Sequence, residues 1–302
     1  HYALDHHGYL NVGYMVICLS NIAMLHFSCT TAGWQPPESL YWHAADLWHL
    51  VKRLIFGDGR LARIGGDSRQ RYCYCQDYLL PALIFCADHL GDPHAAQLEA
   101  GCLELNRLEQ EASGDGSFLS ARLGTIAQTN PYYYTRLEAD KAVVLSMNAY
   151  WRRVLGERPG LPAASDDLEA SVTGGWIEPE HGAMLHRSPR RLASWSWRAH
   201  DAPQGLCLPP DSGHLAEWTA NMGGIVRLLG EGGRRTVVAH AQTLFDGGFL
   251  TTGTMADSQK AVLPEGWTAT ERAHHKYAVA ALPDDRTMLV LEFCRLGPRS
   301  YL

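Results

Sequence analysis

No apolar run in this chain reaches the roughly 18 residues that a membrane-crossing helix needs. The nearest, Met15 to Phe27, is interrupted by Ser20, Asn21 and His26, so a soluble protein with no membrane partner is expected. Cysteine chemistry is equally sparse in pattern. The eight cysteines, Cys18, Cys29, Cys73, Cys75, Cys86, Cys102, Cys207 and Cys294, form no C-x-x-C pair and no repeated spacing. That argues against a zinc ribbon or a redox dithiol, and most of these thiols fall in apolar helical stretches where cysteine packs as a small hydrophobe. Rossmann and P-loop glycine patterns, fixed-period repeats and low-complexity tracts are all missing, which excludes the common nucleotide folds, repeat arrays and disordered or collagen-like chains. Basic charge is also short: 26 Lys and Arg stand against 32 Asp and Glu, a net charge of -6. A nucleic-acid partner held by clustered cations is therefore not expected. An acidic sugar is a different matter, because a local group of Arg and His can hold a uronate whatever the sign of the whole surface.

What is present is histidine, fifteen of them, with many Trp and Tyr, in 302 residues that suffice for one large core or two smaller ones. Residues 1–156 carry apolar positions at three- and four-residue spacings. These predict helices near Val12 to Phe27, Ser39 to Phe56, Gln70 to Leu90, Pro93 to Ala112 and Arg136 to Leu155, the third kinked or broken at Pro81. Glycine-rich gaps such as Gly57-Asp58-Gly59 and Gly65-Gly66-Asp67 separate them. An aperiodic linker, Gly156 to Gly175, marks the boundary, and residues 171–302 read as short strands: Ala183 to Arg187, Leu192 to Arg198, Thr236 to Phe245, Lys276 to Leu282 and Thr287 to Phe293. Turns are expected at Gly230 to Gly233, at Asp246-Gly247-Gly248 and at Pro283 to Arg286. Helices first and antiparallel strands afterwards predict an α+β chain of two segregated parts.

Four segments concentrate chemistry. Asp5-His6-His7-Gly8-Tyr9-Leu10-Asn11-Val12-Gly13-Tyr14 packs polar groups able to bind or transfer protons at a helix entrance, although a capped helix start with surface histidines would read the same way. Arg63 to Tyr78 combines a glycine turn with Arg69 and Arg71, which can hold a carboxylate and lower the pKa of a neighbouring phenol, and with Tyr72, Tyr74 and Tyr78, which a helix could equally bury. Glu178 to Arg198 reads as strand, turn and strand. There His181, His186, Arg187 and the Trp195/Trp197 pair could line a sugar groove, or the tryptophans could simply fill a core. Tyr132-Tyr133-Tyr134-Thr135-Arg136 is a further aromatic and basic group at a helix entrance.

The order and approximate spacing of His7 to Tyr14 before an apolar helix, Gly65 to Tyr78 some sixty residues later, and a strand-rich half from His181 resembles the polysaccharide lyases of the heparinase II/III and alginate lyase type. That resemblance implies a partial (α/α) toroid followed by an antiparallel β-sandwich, and cleavage of a uronate-containing polysaccharide or oligosaccharide by β-elimination. It assigns Asn11 and His7 to neutralising the substrate carboxylate, Tyr72 or Tyr74 to acid/base work and His186 to support from the β half. His6, Tyr14, Arg69, Arg71, His181, Arg187, Trp195 and Trp197 would bind the sugar. The chain departs from the family in lacking the His-x-His-x-Asp pattern that some members place around a metal, so no metal or other cofactor is expected. Five helices are fewer than a closed toroid needs and the chain starts at His1, from which upstream helical sequence and a secreted or periplasmic location are expected. Two rival readings stand beside the lyase: a glycoside hydrolase with carboxylates drawn from Asp5, Asp67, Asp77 and Glu217, and a non-catalytic carbohydrate-binding protein.

Overall fold

The structure of the protein, a computed structural model, describes residues 2–66, 69–156, 167–200, 202–217, 222–224, 234–263 and 266–297; the side chains at 69–71, 234, 259–263 and 266–271 are outside that description. It is an α+β arrangement with the helices first. A two-residue hairpin, β1 (Asp5–His6) and β2 (Tyr9–Leu10), leads into α1 (Val12–Ala32). Asn11 caps that helix, its side-chain oxygen accepting the Tyr14 N–H at 2.8 Å. By length and composition α1 could cross a membrane in spite of Ser20, Asn21 and His26. Here Met15, Val16, Leu19, Ala23 and Phe27 are buried in the core.

The stretch expected as one helix from Ser39 is divided. A 3-10 turn at Glu38–Tyr41 precedes α2 (Ala44–Lys52), and His43 between them sits in the left-handed region at φ 60. The next expected helix is also two, α3 (Arg69–Asp77) and α4 (Leu79–Asp88), broken at Tyr78 rather than at Pro81. The proline falls in the first turn of α4, where its missing N–H would have had no intrahelical partner. Then come α5 (Ala95–Ser113), α6 (Ser120–Thr129), bent at Leu123 and not foreseen, and α7 (Pro131–Leu155), with proline at its first position. The short α8 (Leu168–Ser171) opens the passage into strands.

Strands β3 (Gly174–Glu178), β4 (Ala183–Ser188), β5 (Arg191–Ser196) and β6 (Gln204–Leu208) form one antiparallel sheet in sequence order. Strands β7 (Arg234–Phe245), β8 (Gly248–Leu263), β9 (Gly266–Ala281) and β10 (Met288–Leu296) form a second, also antiparallel meander. The hairpin turns at Asp246-Gly247 and at Pro283 to Thr287 fall as expected, while the Gly230 to Gly233 turn lies outside the described residues. β3, β6 and β8 carry no clean alternation and so are not foreseen from the sequence.

The first sheet is covered on both faces. Leu185, Leu192, Leu206 and Leu208 join the helical core, whereas Met184, Ala193, Trp195 and Trp197 join Phe249, Met255, Tyr277 and Val279 of the second sheet. Every residue of β4 and β5 is consequently buried, although a sheet with one wet face would alternate. The helix-facing side is fastened by Arg187, which reaches the carbonyls of Arg53 at 2.9 Å and Ile55 at 2.7 Å.

Candidate functional site

The β1–β2 hairpin turns on His7 and Gly8, with φ of 60 and 84. Two successive positive φ values make the turn whose twist matches a tight hairpin, and they set His6 and Tyr9 opposite each other on one side. The His6 ring lies 3.9 Å from His7 and 4.3 Å, edge-on, from Tyr14 on the first turn of α1. Tyr9 meets His200, which follows β5, at 5.1 Å in a T-shaped contact. These contacts make a wall of rings in two groups, His6, His7 and Tyr14 in one and the buried Tyr9 against the exposed His200 of the β part in the other.

The seam under that wall is built from main chain. Gly65, at φ +92, carries no side chain because a Cβ there would stand 2.0 Å from the Leu10 carbonyl oxygen. Its own carbonyl accepts the His200 N–H at 2.9 Å. Gln204 donates to the Arg63 carbonyl at 2.8 Å, and Arg63 donates through its N–H to Ala216 O at 2.8 Å and through Nη1 to Glu217 O at 3.0 Å. The strap from Leu61 to Gly66 is therefore clasped between the hairpin and two loops of the β part.

Below the strap lies a buried charge network. Glu217 accepts Arg60 at 2.7 Å and pairs with Arg122 of α6, which also pairs with Glu109 of α5. Lys141 of α7 sits 2.8 Å from Asp77 and 2.9 Å from Glu109, and it donates to Asn106 at 2.7 Å. Burial pushes the Asp77 carboxyl up to about 6 in spite of Lys141 beside it. Two of the carboxylates available to a hydrolase, Asp77 and Glu217, are thus buried and paired with cations, and Asp67 lies outside the described residues. Asp5 accepts the Gly8 N–H at 2.8 Å and closes the hairpin.

Several residues singled out from the sequence stand elsewhere. Tyr72 is buried and donates its hydroxyl to Leu61 O at 2.6 Å; burial, with the Glu217 charge adding to it, raises its pKa well above the ordinary value. Its position is that of an interior strut and not of an arginine-activated base. Tyr74, two residues along α3, faces α7 instead, under the Arg136 guanidinium at 4.6 Å and against Tyr78 at 5.1 Å. Asn11 has no exposed surface, and its carbonyl oxygen is engaged as the cap of α1. Arg69 and Arg71 open α3 close to Gly65 and Gly66 in the chain, with side chains outside the described residues.

In the β part, alternation along β4 and β5 separates what the sequence grouped. Arg187, fully buried, faces the helices and holds Glu169, whereas His186 faces the second sheet, where burial and then the Arg191 charge lower its pKa. Trp195 and Trp197 are packed between the sheets, Trp195 against Tyr277 and Trp197 stacked at 3.8 Å on His240. None of these four is part of the ring wall, because the covered sheet has no open face to offer. His181 lies in the β3–β4 turn with Glu178 and Glu180, whose ligand atoms come within 4.8 Å of one another. Glu178 also accepts the main-chain N–H groups of Glu180 at 2.8 Å and His181 at 3.4 Å, which accounts for its inward position as a turn clamp.

One ring residue, His200, carries no signal in the sequence. Tyr9 lay inside the first polar segment, but His200 follows the tryptophan strand by three residues, and only the strap contact brings it to the hairpin. No family model, curated protein or solved structure matches the chain.

Proposed function

We propose that the protein is a polysaccharide lyase that cleaves a uronate-containing polysaccharide or oligosaccharide by β-elimination at the seam between its helical and β parts, the helices being a segment of an (α/α) toroid and the two sheets a β-sandwich. The observation that carries this reading is the group of His6, His7, Tyr14 and His200, exposed or half-buried rings that come from both parts to the β1–β2 hairpin, where the buried Tyr9 ring backs His200. In the elimination a base removes the weakly acidic C5 proton, the C4–O bond breaks as the C4–C5 double bond forms, and an acid protonates the departing oxygen. Charge builds on the uronate carboxylate, so donors aimed at it lower the barrier most. His6, His7 and His200 can supply those donors, together with Arg69 and Arg71 at the start of α3. Tyr14, partly exposed beside His6, takes the proton-transfer role that the buried Tyr72 is poorly placed to perform.

The test is a screen of acidic polysaccharides for growth of near-ultraviolet absorbance, which an unsaturated uronate produces and a hydrolysed one does not. A neutral glycan gaining reducing ends while every uronate polymer stays silent would replace the lyase with a hydrolase. Binding of a polymer without any change in its length would leave a carbohydrate-binding protein.

A further inference from the structure

At the opposite end of the first sheet from His200, the turns after β4, β6 and β9 and the start of α8 border an open cavity of about 690 Å3. Its volume is within the range of small-molecule sites, and neither the ring wall nor the strap contributes to it. Arg190, Arg191 and Arg286 line it, together with Asp167, Asp211, Cys207 and Glu169, whose charge is already met by Arg187. Leu208, Pro209 and Pro210 supply an apolar wall.

The three arginines differ in how they are engaged. Arg191 is 1% exposed; its two terminal nitrogens are spent on the Leu282, Thr287 and Gly247 carbonyls, Nη1 also lies 3.8 Å from the Asp284 carboxylate, and its Nε has no hydrogen bond among the described residues. A buried guanidinium N–H without an acceptor is costly unless a ligand completes it. Arg190 holds Asp285 at 3.2 Å on the exposed rim. Arg286, also exposed, has no ion pair with a carboxylate among the described residues. The cavity therefore offers guanidinium groups suited to one carboxylate. Asp167 and Asp211 would repel a multiply charged anion, yet they accept hydrogen bonds from hydroxyls.

From this juxtaposition we infer that the cavity between the β4–β5 turn, the end of β6 and the β9–β10 turn is a binding site for a single sugar acid, whose carboxylate meets the arginines and whose hydroxyls meet Asp167 and Asp211. This site is separate from the seam and does not depend on the lyase reading.

The experiment titrates glucuronate, glucose and inorganic phosphate into the 302-residue chain carrying His200→Ala, so that binding at the seam is weakened, and follows heat release together with alkylation of Cys207 by peptide mass spectrometry. Cys207 is not disulfide-bonded and lines the cavity, so an occupant slows its modification. Glucuronate is expected to release heat and to slow Cys207 alkylation several-fold, with glucose and phosphate doing neither. Both effects should vanish when Arg190→Ala and Arg286→Ala are added, two surface changes whose folding is checked by thermal melting. Absence of glucuronate binding, binding unaltered by the two arginine changes, or equal protection by phosphate would each overturn the inference. If the parent protein, with His200 intact, cleaves no uronate polymer while the His200→Ala protein still shows arginine-dependent protection, the lyase reading ends and this site stands.

Discussion

Arg187 grips both carboxylate oxygens of Glu169, at 2.8 and 2.6 Å, with its guanidinium fully removed from solvent between the helices and the first sheet. An ion pair of this kind stabilises little by itself, because desolvating both charges offsets their attraction, but removing one member strands the other. Arg187→Ala is expected to cost about 3–5 kcal/mol in urea unfolding, while replacing both partners by apolar residues of similar volume should recover only part of that loss, because the Arg53 and Ile55 carbonyls also lose their donor. A single Arg187→Ala variant as stable as the parent would mean that Glu169 finds water and that the pair is not the fastening it looks to be.

The seam and the interior make opposite demands on tyrosine. Tyr14→Phe and His200→Ala should lower turnover of a responding uronate polymer by about 10²- to 10⁴-fold with little change in melting temperature. Tyr72→Phe should keep its rate and lose about 1 kcal/mol of stability, the worth of its hydrogen bond to Leu61 O. Initial rates and melting curves on the three variants distinguish the two roles. A dead Tyr72→Phe beside an active Tyr14→Phe would return the acid/base function to α3.

His240 stacks on Trp197 and hydrogen-bonds the Tyr277 hydroxyl at 2.8 Å, and burial, with the nearby Arg198 charge, lowers its pKa from 6.5 to about 4. A histidine whose folded pKa lies below its unfolded value contributes stability that is complete above pH 6.5 and is lost as the pH falls toward 4. Because the ring is only about half buried, the loss should be on the order of 1 kcal/mol. Following the imidazole proton by NMR checks this directly: a midpoint near 6.5 would show the ring to be wet.

Gly65→Ala should loosen the junction that carries the candidate site. The position holds φ +92 and a Cβ would collide with the Leu10 carbonyl, so backbone strain of about 1–3 kcal/mol adds to a forced separation of strap and hairpin. Lower stability is expected together with loss of the Tyr9–His200 contact, visible as altered ring chemical shifts. Gly57→Ala, where a Cβ would meet nothing within 4 Å, serves as the control.

Much of this architecture can be read without coordinates. Apolar spacing marks α1, α5 and α7, the Asp246-Gly247 and Pro283 to Arg286 turns announce their hairpins, and the change of period near residue 156 separates helices from strands. Such features are local: each depends on residues a turn or a pleat apart, and the chain's own chemistry decides them. The first polar segment was likewise visible, since its histidines and tyrosines are neighbours in the chain.

What the sequence could not convey is which face a residue would present once the layers met. Trp195 on β5 and Trp197 just after it share one side by simple alternation, but whether that side opens to a sugar or closes on a second sheet is settled by β8 and β9, some sixty to eighty residues later. Tyr72 and Tyr74 differ by two positions on one helix and so point apart, one onto the strap and the other onto α7. His200 reaches Tyr9 only because Gly65 lets the strap pass against Leu10 and hold the loop after β5. Periodicity determined the elements, because hydrogen bonding and side-chain spacing within a segment are short-range. Burial, pairing and the gathering of the rings were decided by the tertiary structure, because they depend on surfaces that come together only when distant segments pack.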